Sequence, residues 1–120
     1  MKLNLSDLGK TWIIDIDGTL LKHNGYKTGH EEVLSGVENF FSQISERDMV
    51  ILITGRDETY RESTIKMLKK NSIRFDHIIF NAPLGERIVI NDIKPSGLNT
   101  AVAVNKVRDM PLDIHILTDK

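Results

Sequence analysis

The stretch Thr11-Trp12-Ile13-Ile14-Asp15-Ile16-Asp17-Gly18-Thr19-Leu20 decides how this chain is read. A run of large apolar residues leads into a carboxylate, a spacer, a second carboxylate and a glycine. Such a run ended by glycine reads as a buried parallel strand, Trp12 to Asp17, with its turn at the carboxyl end. Side chains alternate along a strand, so Asp15 and Asp17 point the same way at that edge. Ligands of open α/β sheets bind there. Two dehydrated carboxylates repel one another, and a divalent cation would relieve the cost. Taken alone, Asp17-Gly18 is equally compatible with a hairpin turn.

The composition frames that reading. With 120 residues the chain is expected to be a single domain, residues 1–120. The hydrophobic share of 40% and charged share of 28% are ordinary for a water-soluble fold. A formal net charge of −1 offers no footprint for nucleic acid or an anionic membrane surface. Cysteine is absent, which excludes disulfides, thiol nucleophiles and Cys-ligated zinc. The opening Met1 to Lys10 has no long apolar core and no run approaches a membrane span. A cytoplasmic location is the default expectation.

Along the chain, Met1 to Lys10 is expected on the surface or as a short edge piece. Leu21 to His30, punctuated by Gly25 and Gly29, reads as a small flap carrying His23 and His30. Ser35-Gly36-Val37-Glu38 fits a capping box before a helix whose stripe is Val37, Phe40, Phe41 and Ile44. A start at Thr28, closed by Glu31, is the alternative. Met49 to Ile53 is a second strand ending in Thr54-Gly55-Arg56. The Thr54 hydroxyl and the next amides suit a phosphate oxygen, and Arg56 a forked contact. Asp57 is expected to cap a second helix to about Lys70, with Tyr60, Thr64, Ile65 and Leu68 inward. His77 to Phe80 reads as a third strand and Arg87 to Asp92 as a fourth. Ile93 to Gly97 is a loop because Pro95 turns Lys94 from helical geometry. Thr100 to Val104 is expected as a fifth strand, while the tail around Ile114, Ile116 and Leu117 is a strand or a helix.

Three apolar runs thus end in polar groups: Asp15 and Asp17, Thr54, and Asp92. With its Leu20, Asp15-Ile16-Asp17-Gly18-Thr19 resembles the first motif of the haloacid dehalogenase-like superfamily, mostly phosphatases. Ile53-Thr54-Gly55-Arg56 resembles its second motif and Ile90-Asn91-Asp92 its fourth. The loop Asn91 to Gly97 also resembles small members associated with surface-polysaccharide synthesis. The resemblance implies a three-layer α/β/α Rossmann-like core, sheet order 3-2-1-4-5, without a cap domain. It further implies a magnesium-dependent phosphatase acting on a small-molecule phosphate ester such as a sugar phosphate. Asp15 would be the nucleophile and Asp17 the general acid and base. Magnesium would be held by Asp15, the Asp17 carbonyl and Asp92. Thr54, Gly18, Thr19, Gly55 and Arg56 would bind the phosphoryl group.

Two departures qualify the resemblance. The family's third motif is a cation between the third and fourth strands, where this chain has only Arg87, expected at the wrong edge of the sheet. Lys94 is the favoured substitute, with Lys66 and Lys69 as alternatives. The other departure is size: without a cap the site is open, which suits an exposed phosphate or a neighbouring subunit acting as lid in a homo-oligomer. Of two rivals, a phosphoacceptor receiver domain needs an acceptor Asp where the third strand ends in Phe80-Asn81. A catalytically weak or inactive member serving as a binding or regulatory partner fits the missing third-motif lysine.

Overall fold

The computed structural model describes residues 1–119. These residues form a mixed α/β fold that includes β1 (Lys2–Ser6), β2 (Thr11–Asp15), α1 (Gly25–Thr28), α2 (Val37–Ser42), β3 (Met49–Ile53), α3 (Arg61–Lys70), β4 (His77–Ile79) and β5 (His115–Asp119). A single 3-10 turn, Glu58–Tyr60, leads into α3. The main sheet is parallel with strand order β2-β3-β4, and β1 pairs with β5, also parallel, as a separate two-stranded sheet.

The apolar runs expected as the first three strands are the three strands of the main sheet. Trp12 lies opposite Val50, Ile14 opposite Leu52 and Asp15 opposite Ile53. Ile14, Val50 and Leu52 are buried, and the core continues through Ile16, Leu20 and Leu21 beyond β2. Thr64 and Leu68 of α3 and Val37 and Phe40 of α2 close over it. Trp12 meets Phe40 edge to face, with ring centroids 5.5 Å apart, a favoured aromatic geometry.

The short α2 replaces the longer helix and capping box expected from Ser35. Gly36, at φ 87°, is the N-cap and accepts no side-chain cap. A Cβ on Gly36 would lie 2.3 Å from the Leu112 carbonyl oxygen, and Ser35 uses its own carbonyl to accept from Leu112 N–H at 2.8 Å. Close approach of the 112 segment, rather than a serine cap, sets this helix start. Gln43 just past α2 pins β5: its amide donates to the Ile114 carbonyl at 2.8 Å and accepts from Ile116 N–H at 2.9 Å. The tail is therefore a strand, and the chain start is its partner.

The expected fourth and fifth strands, Arg87 to Asp92 and Thr100 to Val104, do not form; residues 81–114 contain no strand. Ile88 and Ile90 are 81% and 93% exposed. Branched residues favour a strand only when a pleated neighbour accepts them. Here local bonds hold the segment instead: Lys94 N–H donates to the Leu98 carbonyl, and Asn91 Nδ2 to Thr100 Oγ1. No helix among the described residues is long and apolar enough to cross a membrane.

Candidate functional site

β2 and β3 end side by side, and their tips carry the polar groups. Beyond β2 the chain folds into a tight turn in which the Ile16 carbonyl accepts from Leu20 and Leu21 N–H at 2.9 and 3.0 Å. Gly18 makes that turn at φ 82°. An ordinary residue there would be strained, and its Cβ would press 3.1 Å against Arg108 Cγ. The turn delivers the two carboxylates to different partners.

Asp15 is the open one. Its side chain is 35% exposed, Thr19 Oγ1 donates to Oδ2 at 3.0 Å, and Arg87 Nη1 lies 3.2 Å from Oδ1. Arg87 is thus not at the far edge of a sheet: without a fourth strand its segment crosses to the β2 tip. Lys94, expected to reach the carboxylates, is exposed and forms no side-chain hydrogen bond or ion pair with the described residues.

Asp17 is the enclosed one. Arg56 Nε approaches its Oδ1 and Oδ2 at 3.3 and 3.1 Å and Nη2 reaches Oδ1 at 2.9 Å. Thr54 Oγ1 donates to Oδ2 at 3.2 Å and accepts from Arg56 N–H at 3.0 Å. Thr54 is fully buried and Arg56 is 2% exposed. In this arrangement both side chains, expected to meet phosphate, are turned to Asp17. The extended β3 tip turns Arg56 back beneath the Asp17 loop.

The rest of the Arg56 environment comes from residues the sequence did not single out for a site. Nη1 donates to Thr64 Oγ1 at 2.9 Å, the guanidinium carbon sits 4.1 Å from the Tyr26 ring centroid, and Nη2 lies 2.7 Å from Glu31 Oε1. Glu31 Oε1 is buried, and this ion pair with Nη2 is its contact. Burial by itself would lower the Arg56 pKa, but Asp17 and Glu31 outweigh it and hold the guanidinium above its ordinary value.

A second approach covers Gly18. Lys106 Nζ and Asp109 N–H each donate to the Gly18 carbonyl at 3.0 Å, and Asp109 Oδ1 accepts from His23 N–H at 2.7 Å. Burial moves the Lys106 pKa downward, opposed by Asp109. His23 therefore enters through its backbone, and His30 is exposed.

Asp92 does not join Asp15 and Asp17. Its segment is exposed, its carbonyl accepts from the Thr100 hydroxyl, and no three His, Asp or Glu side chains converge among the described residues. Of the oxygens expected to hold magnesium, those of the Asp15 carboxylate are engaged by Thr19 and Arg87, whereas Arg56 grips the Asp17 carboxylate and not its backbone carbonyl. Lys66 and Lys69 line a groove of about 660 Å³ along α3 with Arg61, Glu62, Ile65 and Lys70, none of which belongs to the carboxylate cluster.

No family model, curated protein or solved structure matches this chain. The chemical reading therefore rests on its own residues. Thr19 and Arg87 hold Asp15 in the open, and Thr54 and Arg56 hold Asp17 enclosed, with Glu31 and Thr64 behind Arg56, at the carboxyl end of a parallel sheet.

Proposed function

We propose that this chain is a phosphate-monoester hydrolase of the haloacid dehalogenase-like kind, acting through an aspartyl-phosphate. The observation that carries the reading is the asymmetry of the two carboxylates. Asp15, 35% exposed at the β2 tip with Arg87 beside it, suits a nucleophile approached by an anion. Asp17, 15% exposed and held by Arg56, is the carboxylate fixed in position.

In this reading an Asp15 oxygen forms a bond to phosphorus as the ester P–O bond breaks. Asp17 gives a proton to the departing alkoxide and then takes one from the water that hydrolyses the aspartyl-phosphate, releasing inorganic phosphate. Arg87 offsets the charge of the approaching phosphate. Of the sheet order 3-2-1-4-5, only the 3-2-1 half belongs to this proposal, because the runs expected as strands four and five form none among the described residues. The adjacency of β4, β3 and β2 supports that half. Magnesium belongs to this proposal through the resemblance alone. Sugar phosphates and other aliphatic phosphate esters, met by an open site without a cap, are the proposed substrate class.

The test is release of phosphate from p-nitrophenyl phosphate and a panel of sugar phosphates, with and without added magnesium. Asp15→Asn should reduce turnover by about a thousandfold or more with the circular-dichroism spectrum retained. A wild-type protein silent on the whole panel would favour the second reading, a binding or regulatory protein. The complete burial of Thr54 and its engagement by Asp17 and Arg56 is the observation on that side.

A further inference from the structure

Among the described residues Arg56 is the largest fully buried side chain. A buried guanidinium persists only when its donors and charge are answered. The answers come from three separate parts of the chain: Asp17 after β2, Thr64 in α3, and Tyr26 with Glu31 in the segment between Leu21 and Leu34. That segment is a flap with a closed neck. Leu21 bridges Val33, Lys22 N–H donates to the Glu32 carbonyl at 2.9 Å, and Leu34 N–H donates to the Leu20 carbonyl at 2.9 Å. Beyond the neck, Tyr26 meets Tyr60 edge to face at 4.8 Å.

The two ends of this clamp differ in kind. Asp17 is gripped by directed N–H bonds from Nε and Nη2, and such forked pairs are both strong and geometrically specific. Glu31 meets one nitrogen only, its Oε1 lying 2.7 Å from Nη2. The flap end is thus held at a single nitrogen and the Asp17 end at two.

We infer that Arg56 is a positioning residue that fixes Asp17 and, through Glu31 and Tyr26, fastens the Leu21–Leu34 flap beside it. The role of Asp17 rests on the phosphatase reading; the fastening of the flap does not. Under this inference Glu31 sets how often the flap lifts, and Arg56 sets where the Asp17 carboxylate stands when it transfers a proton.

The experiment compares wild type, Glu31→Gln and Arg56→Lys. Its readouts are amide hydrogen exchange across residues 22–34, tryptic cleavage after Lys27, thermal melting and steady-state hydrolysis of p-nitrophenyl phosphate. Glu31→Gln should speed exchange and cleavage in the flap by about tenfold while exchange in β3 stays as in wild type. Arg56→Lys keeps the charge but loses the fork, so kcat should fall by roughly tenfold to a hundredfold with KM little changed. Flap exchange in Glu31→Gln equal to wild type, or wild-type kcat in a folded Arg56→Lys, would overturn the inference. If wild type itself turns nothing over, the phosphatase reading fails. Flap exchange in Glu31→Gln then decides the fastening by itself.

Discussion

Arg87 Nη1 stands 3.2 Å from Asp15 Oδ1, although 72 positions of sequence separate the two residues. Both side chains are 35% exposed, and an ion pair so open to water contributes less than about 1 kcal/mol to folding. Arg87→Ala should therefore barely move a urea unfolding midpoint. On phosphate release its effect should be larger, a loss of roughly tenfold or more in kcat/KM, since a hydrogen bond to a charged group is worth about 1.5–3 kcal/mol. Parallel unfolding and turnover measurements separate the two effects.

Asp48 is a structural carboxylate, 5% exposed, that accepts from Lys10 N–H at 3.0 Å and Trp12 Nε1 at 2.9 Å. Asp48→Ala strands both donors, and a buried donor left unpaired costs about 1–3 kcal/mol. The variant should unfold at lower denaturant concentration. Because Trp12 is the only tryptophan, its fluorescence should shift in the folded variant and report the broken bond directly.

Gly36 cannot be exchanged cheaply. At φ 87°, with the Leu112 carbonyl 2.3 Å from any Cβ, alanine meets both a left-handed backbone cost of about 1–2 kcal/mol and a steric clash. Gly36→Ala should destabilise by at least that backbone cost. It should also loosen the neighbouring bond from Leu112 N–H to the Ser35 carbonyl, read by hydrogen exchange at Leu112.

Asp57 caps the turn before α3, its carboxylate accepting from Thr59 N–H at 2.8 Å. That bond holds its pKa below the ordinary 3.8. A carboxylate lowered on folding stabilises the protein above its unfolded pKa and loses that contribution as pH falls through the folded one. Thermal melts of wild type and Asp57→Ala should differ at neutral pH and converge below about pH 3.8.

The segment from Arg87 to Val104 lacks regular structure, and Val89 and Val102 are 57% and 58% exposed. Few backbone bonds protect it, so its amides should exchange orders of magnitude faster than those of β3. Slow exchange at Ile88 and Ile90 would show that these residues pair as a strand in solution.

What was legible in the sequence was local. Trp12 to Asp15, Met49 to Ile53 and His77 to Ile79 are strands because branched, apolar runs favour a pleated surface, with Ile14, Val50 and Leu52 turned into the core and Ile13 and Ile79 left half exposed. Asp17-Gly18 is a turn because glycine takes the left-handed geometry, and Asp57 caps because its short carboxylate reaches an amide two residues on. The nearness of Asp15, Asp17 and Thr54 followed from parallel strands ending at one edge.

What only the tertiary structure decided was pairing across distance. The run at Arg87 has the composition of a strand, yet composition carries no information on which edge would receive it. The same indeterminacy brought Arg87 to Asp15 and left Lys94 exposed. It also turned Arg56 inward to Asp17, Glu31 and Thr64, because a charge is buried only where its partners converge in three dimensions. Strand chemistry is written within a few neighbouring residues; ion pairing belongs to the packed chain.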